Sequence, residues 1–324
     1  MSARDVLVPR GLPDYVGRAI EARFTVHRPW QSADPEAALD AVADRIGAVV
    51  GCPMCDPVTA ALIDRLPNLT LIANFGVGYD TVDAVHAGRR GVIVTNTPDV
   101  LTQETADTAW ALVLMAVRRF GHAERWLREG KWERTGPFPL SPLSMRGRTV
   151  GVAGLGRIGA AIARRAAASD VEVAYTARTP KPDVPYAFYP DIVSLAAAVD
   201  TLVLATPGGP ETQNLVDARV LDALGPKGVL VNIARGSVVD QQALIAALKE
   251  GRIAAAGLDV FADEPHVPAE LMALDNAVLF PHVGSSTQAT RLAMADIVVD
   301  NLVAWEEGRP PPTPVAETPF SGWS

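Results

Sequence analysis

Three short segments in the second half of the chain each put a chemically able side chain directly after an apolar run. Val231-Asn-Ile-Ala-Arg235-Gly-Ser carries an arginine, Gly257-Leu-Asp259-Val-Phe-Ala-Asp-Glu264-Pro carries Asp259 and Glu264, and Phe280-Pro-His282-Val-Gly-Ser-Ser carries a histidine. A guanidinium can hold a carboxylate through a planar pair of hydrogen bonds and polarise a carbonyl beside it. An imidazole can protonate an oxygen that gains negative charge and take the proton back in the reverse direction. A carboxylate next to the imidazole holds it in place for that task. Together these groups suit reduction of a 2-oxo acid, or oxidation of the 2-hydroxy acid. Singly each has a plainer reading: a surface salt bridge, an acid in a loop, a core histidine. In an open parallel sheet the carboxyl ends of the strands line one crevice, so the convergence of all three is the signal.

The same edge carries a second motif. Thr149-Val-Gly-Val-Ala-Gly154-Leu-Gly156-Arg157-Ile158-Gly159 reads as strand, G-x-G-x-x-G and helix, with a further strand about twenty residues on. Gly154 permits the tight turn, Gly156 lets a pyrophosphate approach the backbone, and Gly159 allows close packing of helix on strand. The helix N-terminus offers free N–H groups and partial positive charge to that pyrophosphate. The second strand selects the nucleotide. A site for NAD would end it with Asp or Glu to bind the ribose 2′-hydroxyl. Here Val171-Glu-Val-Ala-Tyr-Thr176-Ala-Arg178-Thr-Pro-Lys181 has Thr176 in place of the acid and two cations close behind. Cationic donors suit a 2′-phosphate, so the expected cofactor is NADPH in preference to NADH.

These motifs need a scaffold, and the rhythm of the chain supplies one. Apolar runs at Val6–Val8, Ala48–Val50, Leu71–Asn74 and Gly91–Thr95 alternate with helical periods at Ala38–Ile46 and Pro57–Leu66. From Arg148 onward, strands at Thr149–Gly154, Val171–Tyr175, Thr201–Ala205, Val229–Ile233, Ala254–Asp259 and Ala277–Phe280 alternate with helices at Ile158–Ala168, Ser194–Ala198 and Gln241–Glu250. Gln288–Glu307 is helical by period, and Pro310–Pro314 looks like a terminal arm. Such alternation implies parallel sheets covered on both faces. The expected fold is α/β: two Rossmann-like or flavodoxin-like parallel-sheet domains with a cleft between them. Residues 1–97 plus 286–324 would form the substrate domain. Residues 98–285 would form the dinucleotide domain, including a long linking helix at Pro98–Arg119 and an unperiodic loop at Gly121–Arg148. Hinge closure would expel water from the cleft. A loop of that length without structure of its own points to an oligomer contact, although Trp126 and Trp132 could also be anchors within the same chain.

Composition narrows the class. The 324 residues are 48% hydrophobic and 20% charged, with a net charge of −8. That is enough apolar material for two cores and excludes a disordered chain. The acidic balance lacks the footprint of a nucleic-acid binder. No apolar run is long enough to span a membrane, and Asp5, Pro9 and Arg10 interrupt any leader-like stretch. Two cysteines cannot build a disulfide framework and suggest a reducing compartment, so a cytoplasmic protein is expected.

Gly154–Gly159, Arg235, Glu264 and His282, in this order, resemble the D-isomer-specific 2-hydroxyacid dehydrogenase family. The likeness extends to Asn74-Phe-Gly-Val-Gly-Tyr-Asp80, to Glu104, and to Pro207-Gly-Gly-Pro210-Glu-Thr212, and so covers nearly the whole chain. Gly76-Val-Gly-Tyr79 and Tyr175–Lys181 look most like the family's glyoxylate/hydroxypyruvate reductases. The resemblance implies a catalytic set of Arg235, Glu264 and His282, with no metal. It implies a cofactor site of Gly154, Gly156, Arg157, Ile158, Gly159, Thr176, Arg178, Lys181, Thr206, Pro207, Thr212, Ile233, Asp259 and His282, with Asp259 on the nicotinamide carboxamide. It implies substrate contacts from Met54, Arg235, His282 and the backbone N–H groups of Val77 and Gly78. It also implies a homodimer, a small 2-oxo or 2-hydroxy acid as partner, and no nucleic acid or membrane. Hydroxyphenylpyruvate is the competing substrate. Phosphite oxidation is a further rival, as is a nucleotide-sensing, corepressor-like binding protein. Cys52-Pro-Met-Cys55 suggests redox or metal chemistry in isolation, but one pair cannot make a four-thiolate zinc site, and the family needs no thiol there. Tyr79 either lines the substrate pocket or simply packs. His266, just beyond Glu264, is the one decoy among the remaining histidines.

Overall fold

The computed structural model describes residues 5–323. They fall into two compact units: one runs through Leu101 and resumes at Thr287, and the other is Thr102–Ser286. Each is an α/β unit built on a wholly parallel sheet.

The first unit's strands are β1 (Asp5–Leu7), β2 (Thr25–His27), β3 (Ile46–Gly51), β4 (Leu71–Asn74) and β5 (Ile93–Thr95), in the order β2-β1-β3-β4-β5. β3 and β4 are buried at every residue, which is why they read as unbroken apolar runs. The helix Gln288–Glu306 packs on β4, and its Trp305 indole donates to Thr70 Oγ1 at 2.8 Å. The arm expected at Pro310–Pro314 covers the open edge of β5: Val315 N–H donates to Val94 O, and Pro314 bridges Thr95 in antiparallel sense.

The second unit's strands are β6 (Thr149–Ala153), β7 (Glu172–Thr176), β8 (Ala187–Tyr189), β9 (Thr201–Leu204), β10 (Val229–Asn232), β11 (Ala255–Leu258) and β12 (Ala277–Leu279). Their order is β12-β11-β10-β9-β6-β7-β8. The chain moves outward from β6 to β7 and β8, then returns to lay β9 on the other side of β6. That reversal is the point at which open α/β sheets bind ligands. The long helix Thr102–Arg118 buries Ala109, Leu112, Val113 and Ala116 on this unit and packs on β10 and β11.

Three local readings change. The helix expected at Ala38–Ile46 is Pro35–Asp40. Asp34 accepts from Ala37 N–H at 3.1 Å as its N-cap, Pro35 opens the first turn, and Ile46 is claimed by β3. Gly121–Arg148 is not without structure: helix Phe120–Arg128 runs into it and helix Lys131–Thr135 lies within it, divided at Gly130, whose φ of +66° favours glycine. Neither helix buries a residue, although Phe120, Ala123 and Leu127 recur at helical spacing on the first of them, a periodicity the sequence reading passed over. Third, Cys52 and Cys55 form a disulfide, which the expectation of a reducing compartment did not include.

Candidate active site

The turn after β10 is built to present Arg235. Asn232 ends the strand, buried. Its Nδ2 donates to Arg235 O at 2.9 Å and its Oδ1 accepts from Ala234 N–H at 3.0 Å. Gly236 follows where a Cβ would lie 1.9 Å from the Phe261 carbonyl, so only glycine lets this turn press against the next one. Arg235 Nη1 donates to Ala234 O at 2.7 Å. Asn232 and Gly236 were missed as functional residues, although the sequence shows the polar Asn closing an apolar run and the Gly behind the arginine.

The turns after β11 and β12 are tied together. His282 has a φ of +54°, and its N–H donates to Asp259 O at 2.9 Å. The Asp259 carboxylate accepts from Val283 N–H at 2.7 Å through Oδ1 and from Gly284 N–H at 2.8 Å through Oδ2. Asp259 therefore anchors both sides of the turn that displays the imidazole. Burial pushes its carboxyl above the ordinary range, against the pull of those two N–H groups and of His282.

Glu264 completes the arrangement. Its Oε1 accepts from Phe261 N–H at 2.9 Å, and its Oε2 lies 2.7 Å from His282 Nδ1. Burial raises the Glu264 carboxyl, but the His282 hydrogen bond and charge, the Phe261 N–H and the Arg235 charge outweigh it and hold the group below the usual carboxylate range. An ionised Glu264 on Nδ1 leaves Nε2 as the nitrogen that exchanges a proton with a ligand.

The nucleotide features lie at the switch point. Gly154 has a φ of +93°, and a Cβ there would sit 2.8 Å from Ala205 O. At Gly159 a Cβ would reach 1.9 Å from Gly154 O, so the helix Arg157–Ala167 can approach β6 only with glycine. Gly156 faces open space and caps that helix without a side-chain acceptor, leaving first-turn N–H groups for an anion. Thr206 Oγ1, just beyond β9, is buried without a hydrogen-bond partner. A dinucleotide fits this glycine cradle and orphaned hydroxyl.

The family model described as "D-isomer specific 2-hydroxyacid dehydrogenase, NAD binding domain" matches residues 110–284. The chain belongs to the D-isomer-specific 2-hydroxyacid dehydrogenase family. Among similar members of the family, glyoxylate/hydroxypyruvate reductase A of Arabidopsis thaliana is 47% identical over 97% of this chain and 100% of its own. Hydroxyphenylpyruvate reductase of Plectranthus scutellarioides is 45% identical over the same shares. The crystal structure of the NADPH-dependent glyoxylate/hydroxypyruvate reductase of Sinorhizobium meliloti in complex with NADP and malonate superposes with a TM-score of 0.92, at 48% identity and 98% coverage of both chains.

In this 2-hydroxyacid dehydrogenase the second unit brings Arg235, Asp259, Glu264 and His282 together at adjacent strand ends. Ile233 is buried beside the same turn. Thr176 ends β7, its carbonyl accepting from Gly154 N–H at 2.9 Å; Arg178 and Lys181 follow it, exposed. Tyr175, overlooked in the sequence, fixes that loop: its buried ring ends in a hydroxyl that accepts from Lys181 N–H at 2.7 Å. Thr212 Oγ1 donates to Pro207 O at 2.8 Å, closing its own turn. Arg157 and Ile158 open the glycine-capped helix, Arg157 exposed.

Met54, Val77 and Gly78 lie in the first unit. Met54 is exposed at the tip of the disulfide-closed loop after β3, and Val77 and Gly78 are half-buried after β4. Tyr79 packs beside the first unit's core, and its hydroxyl donates to Glu317 at 2.8 Å. Burial and that carboxylate push it up to about 12. His266 is a solvent-exposed side chain with Asp263 4.0 Å away, and has no part in the set.

Proposed function

We propose that this protein reduces a small 2-oxo acid, glyoxylate or hydroxypyruvate, to the D-2-hydroxy acid with NADPH. The observation that carries the reading is the Glu264–His282 pair with Arg235 on the adjacent strand end. Arg235 binds the substrate carboxylate through its planar fork, and in the first unit the N–H groups of Val77 and Gly78 are donors of the kind that suit a carboxylate. His282 gives the proton on Nε2 to the substrate's carbonyl oxygen, while Glu264 holds the ring through Nδ1. NADPH, when bound, supplies the hydride that the carbonyl carbon accepts.

Several features support the choice of nucleotide. β7 ends in Thr176 with no acid, and Arg178 and Lys181 stand in solvent on a loop fixed by Tyr175. The Sinorhizobium structure, similar along its whole length, holds NADP. We assign the cofactor to the second unit and substrate selection to the first. The Plectranthus relative favours hydroxyphenylpyruvate as the second reading. The reductases similar to this chain over its whole length favour turnover over nucleotide sensing alone.

We also infer a homodimer. The helices within residues 120–135 and the loop after them expose Phe120, Leu127, Trp132 and Leu140, with Leu140 93% exposed. Trp126, by contrast, anchors within its own chain through Gly136 O. Sedimentation equilibrium reads the mass directly; a monomer at all concentrations removes this assignment.

The deciding assay follows loss of reduced nicotinamide absorbance with NADPH and NADH against glyoxylate, hydroxypyruvate and hydroxyphenylpyruvate. Fast NADPH oxidation with a small 2-oxo acid is expected. A protein that binds NADPH but turns over none of these acids refutes the reading.

A further inference from the structure

β4 and β5 are neighbours, and an asparagine amide stands at the carboxyl end of each: Asn74 is the last residue of β4 and Asn96 the first after β5. Asn74 is 1% exposed. Its Nδ2 donates to Gly76 O and to Gly78 O, both at 3.0 Å. Asn96 Nδ2 donates to the carbonyl between them, Val77 O, at 2.9 Å. Thr97 N–H gives Gly76 O a second bond at 3.0 Å. Three successive carbonyls are thus held toward the protein by two side chains.

A trans peptide points its C=O and its N–H in opposite directions. Pinning Gly76 O therefore turns the Val77 N–H the other way, and pinning Val77 O does the same for the Gly78 N–H. Neither N–H meets an acceptor among the described residues. Successive N–H groups aimed outward form a concavity that binds anions. The loop is also backed from behind: a Cβ on Gly76 would lie 2.9 Å from the Pro53 ring, in the loop closed by Cys52 and Cys55. Asn74 Oδ1 is buried without a partner. An amide that leaves its own acceptor unsatisfied while both N–H bonds go to this loop is oriented by the loop.

We propose that Asn74 and Asn96 are positioning residues that preorganise the Val77–Gly78 N–H pair for the substrate carboxylate. This rests on the reading that the substrate is a 2-oxo acid. The two asparagines touch no substrate; they act by holding the carbonyls whose peptide planes carry the donors.

Asn96→Ala is the main test, because Asn96 is half-buried; Asn74→Ala is its buried counterpart. In Asn96→Ala the KM for glyoxylate and the competitive Ki for oxalate rise together by about tenfold, while kcat changes less and the KM for NADPH stays put. A merely structural loss would instead lower kcat and thermal stability and move both KM values. In ¹⁵N-labelled protein, oxalate shifts the Val77 and Gly78 amide resonances in the wild type, and those shifts collapse in Asn96→Ala. A glyoxylate KM and oxalate Ki within about twofold of wild type, or amide shifts that survive the substitution, overturn the proposal. If the wild type reduces no 2-oxo acid yet shows oxalate shifts that need Asn96, the functional reading fails and the asparagine device stands.

Discussion

Glu264 Oε2 and His282 Nδ1 lie 2.7 Å apart, and the same glutamate is fixed from its other oxygen by the Phe261 N–H. The imidazole is therefore oriented by a carboxylate that is itself held by the main chain. Such a pair resists rotation and assigns the exchanging proton to Nε2.

Removing either partner should separate their roles. His282→Ala should cut kcat by about two to four orders of magnitude with NADPH binding retained. Glu264→Gln should cost less, about one to two orders, because the donor remains but its aim and charge are altered. Steady-state kinetics beside fluorescence titration of NADPH checks both. Equal losses in the two variants would show that Glu264 does more than orient the ring.

The pH dependence of stability follows from the direction of the Glu264 shift. Its folded-state carboxyl lies below its unfolded value, so the stability it contributes is complete above the ordinary carboxylate range and disappears as pH falls through the folded value. Asp259 runs the other way: its folded-state value is raised, so its contribution is present below the unfolded value and is lost as pH rises through the raised one. Thermal unfolding scanned from about pH 7 to about pH 3 should show an acid limb that Glu264→Gln flattens. An acid limb unchanged by the substitution would assign it to other carboxylates.

Asp259→Asn tests the anchor beneath the histidine. Asparagine keeps one acceptor, but its amide hydrogens would face a main-chain N–H, leaving Val283 or Gly284 unpaired in a buried setting. A loss of about 1–3 kcal/mol in unfolding free energy is expected. A fall in kcat should accompany it, because the turn that displays His282 loosens. Denaturant melts and kinetics on the same preparation give both numbers. Full stability with full activity would mean that the turn holds without Asp259.

Arg235→Lys should raise the KM for 2-oxo acids by about tenfold or more, since a point charge cannot replace the planar fork. The KM for NADPH should not move. An unchanged KM for the acid would take Arg235 out of the carboxylate site.

Arg178→Asp should lower kcat/KM for NADPH relative to NADH by about tenfold or more, because a carboxylate repels a 2′-phosphate and can accept from a ribose hydroxyl. A preference that survives the change would hand the phosphate to Lys181 and the backbone near Thr176.

The features legible in the chain alone are those written in short-range pattern. The run Gly154–Gly159 between an apolar strand and a helix, the absence of an acid at Thr176, and Arg235, Glu264 and His282 behind successive apolar runs all depend on residues near one another in sequence. Alternating strands and helices likewise imply parallel sheets before any contact is known. What the tertiary structure alone decided are the bonds between segments far apart. Asp259 spends both oxygens on Val283 and Gly284, Asn96 reaches back to Val77, and Gly236 lets the turn that offers Arg235 press against Phe261. Helix Phe120–Arg128 carries an apolar stripe at Phe120, Ala123 and Leu127 that a nine-residue window shows only briefly, and Lys131–Thr135 is too short at five residues to show a period. Polar side chains at strand ends carry no sign of which carbonyl or N–H they will meet. That depends on which strands become neighbours and in what register, and the crossover connections set this over tens of residues.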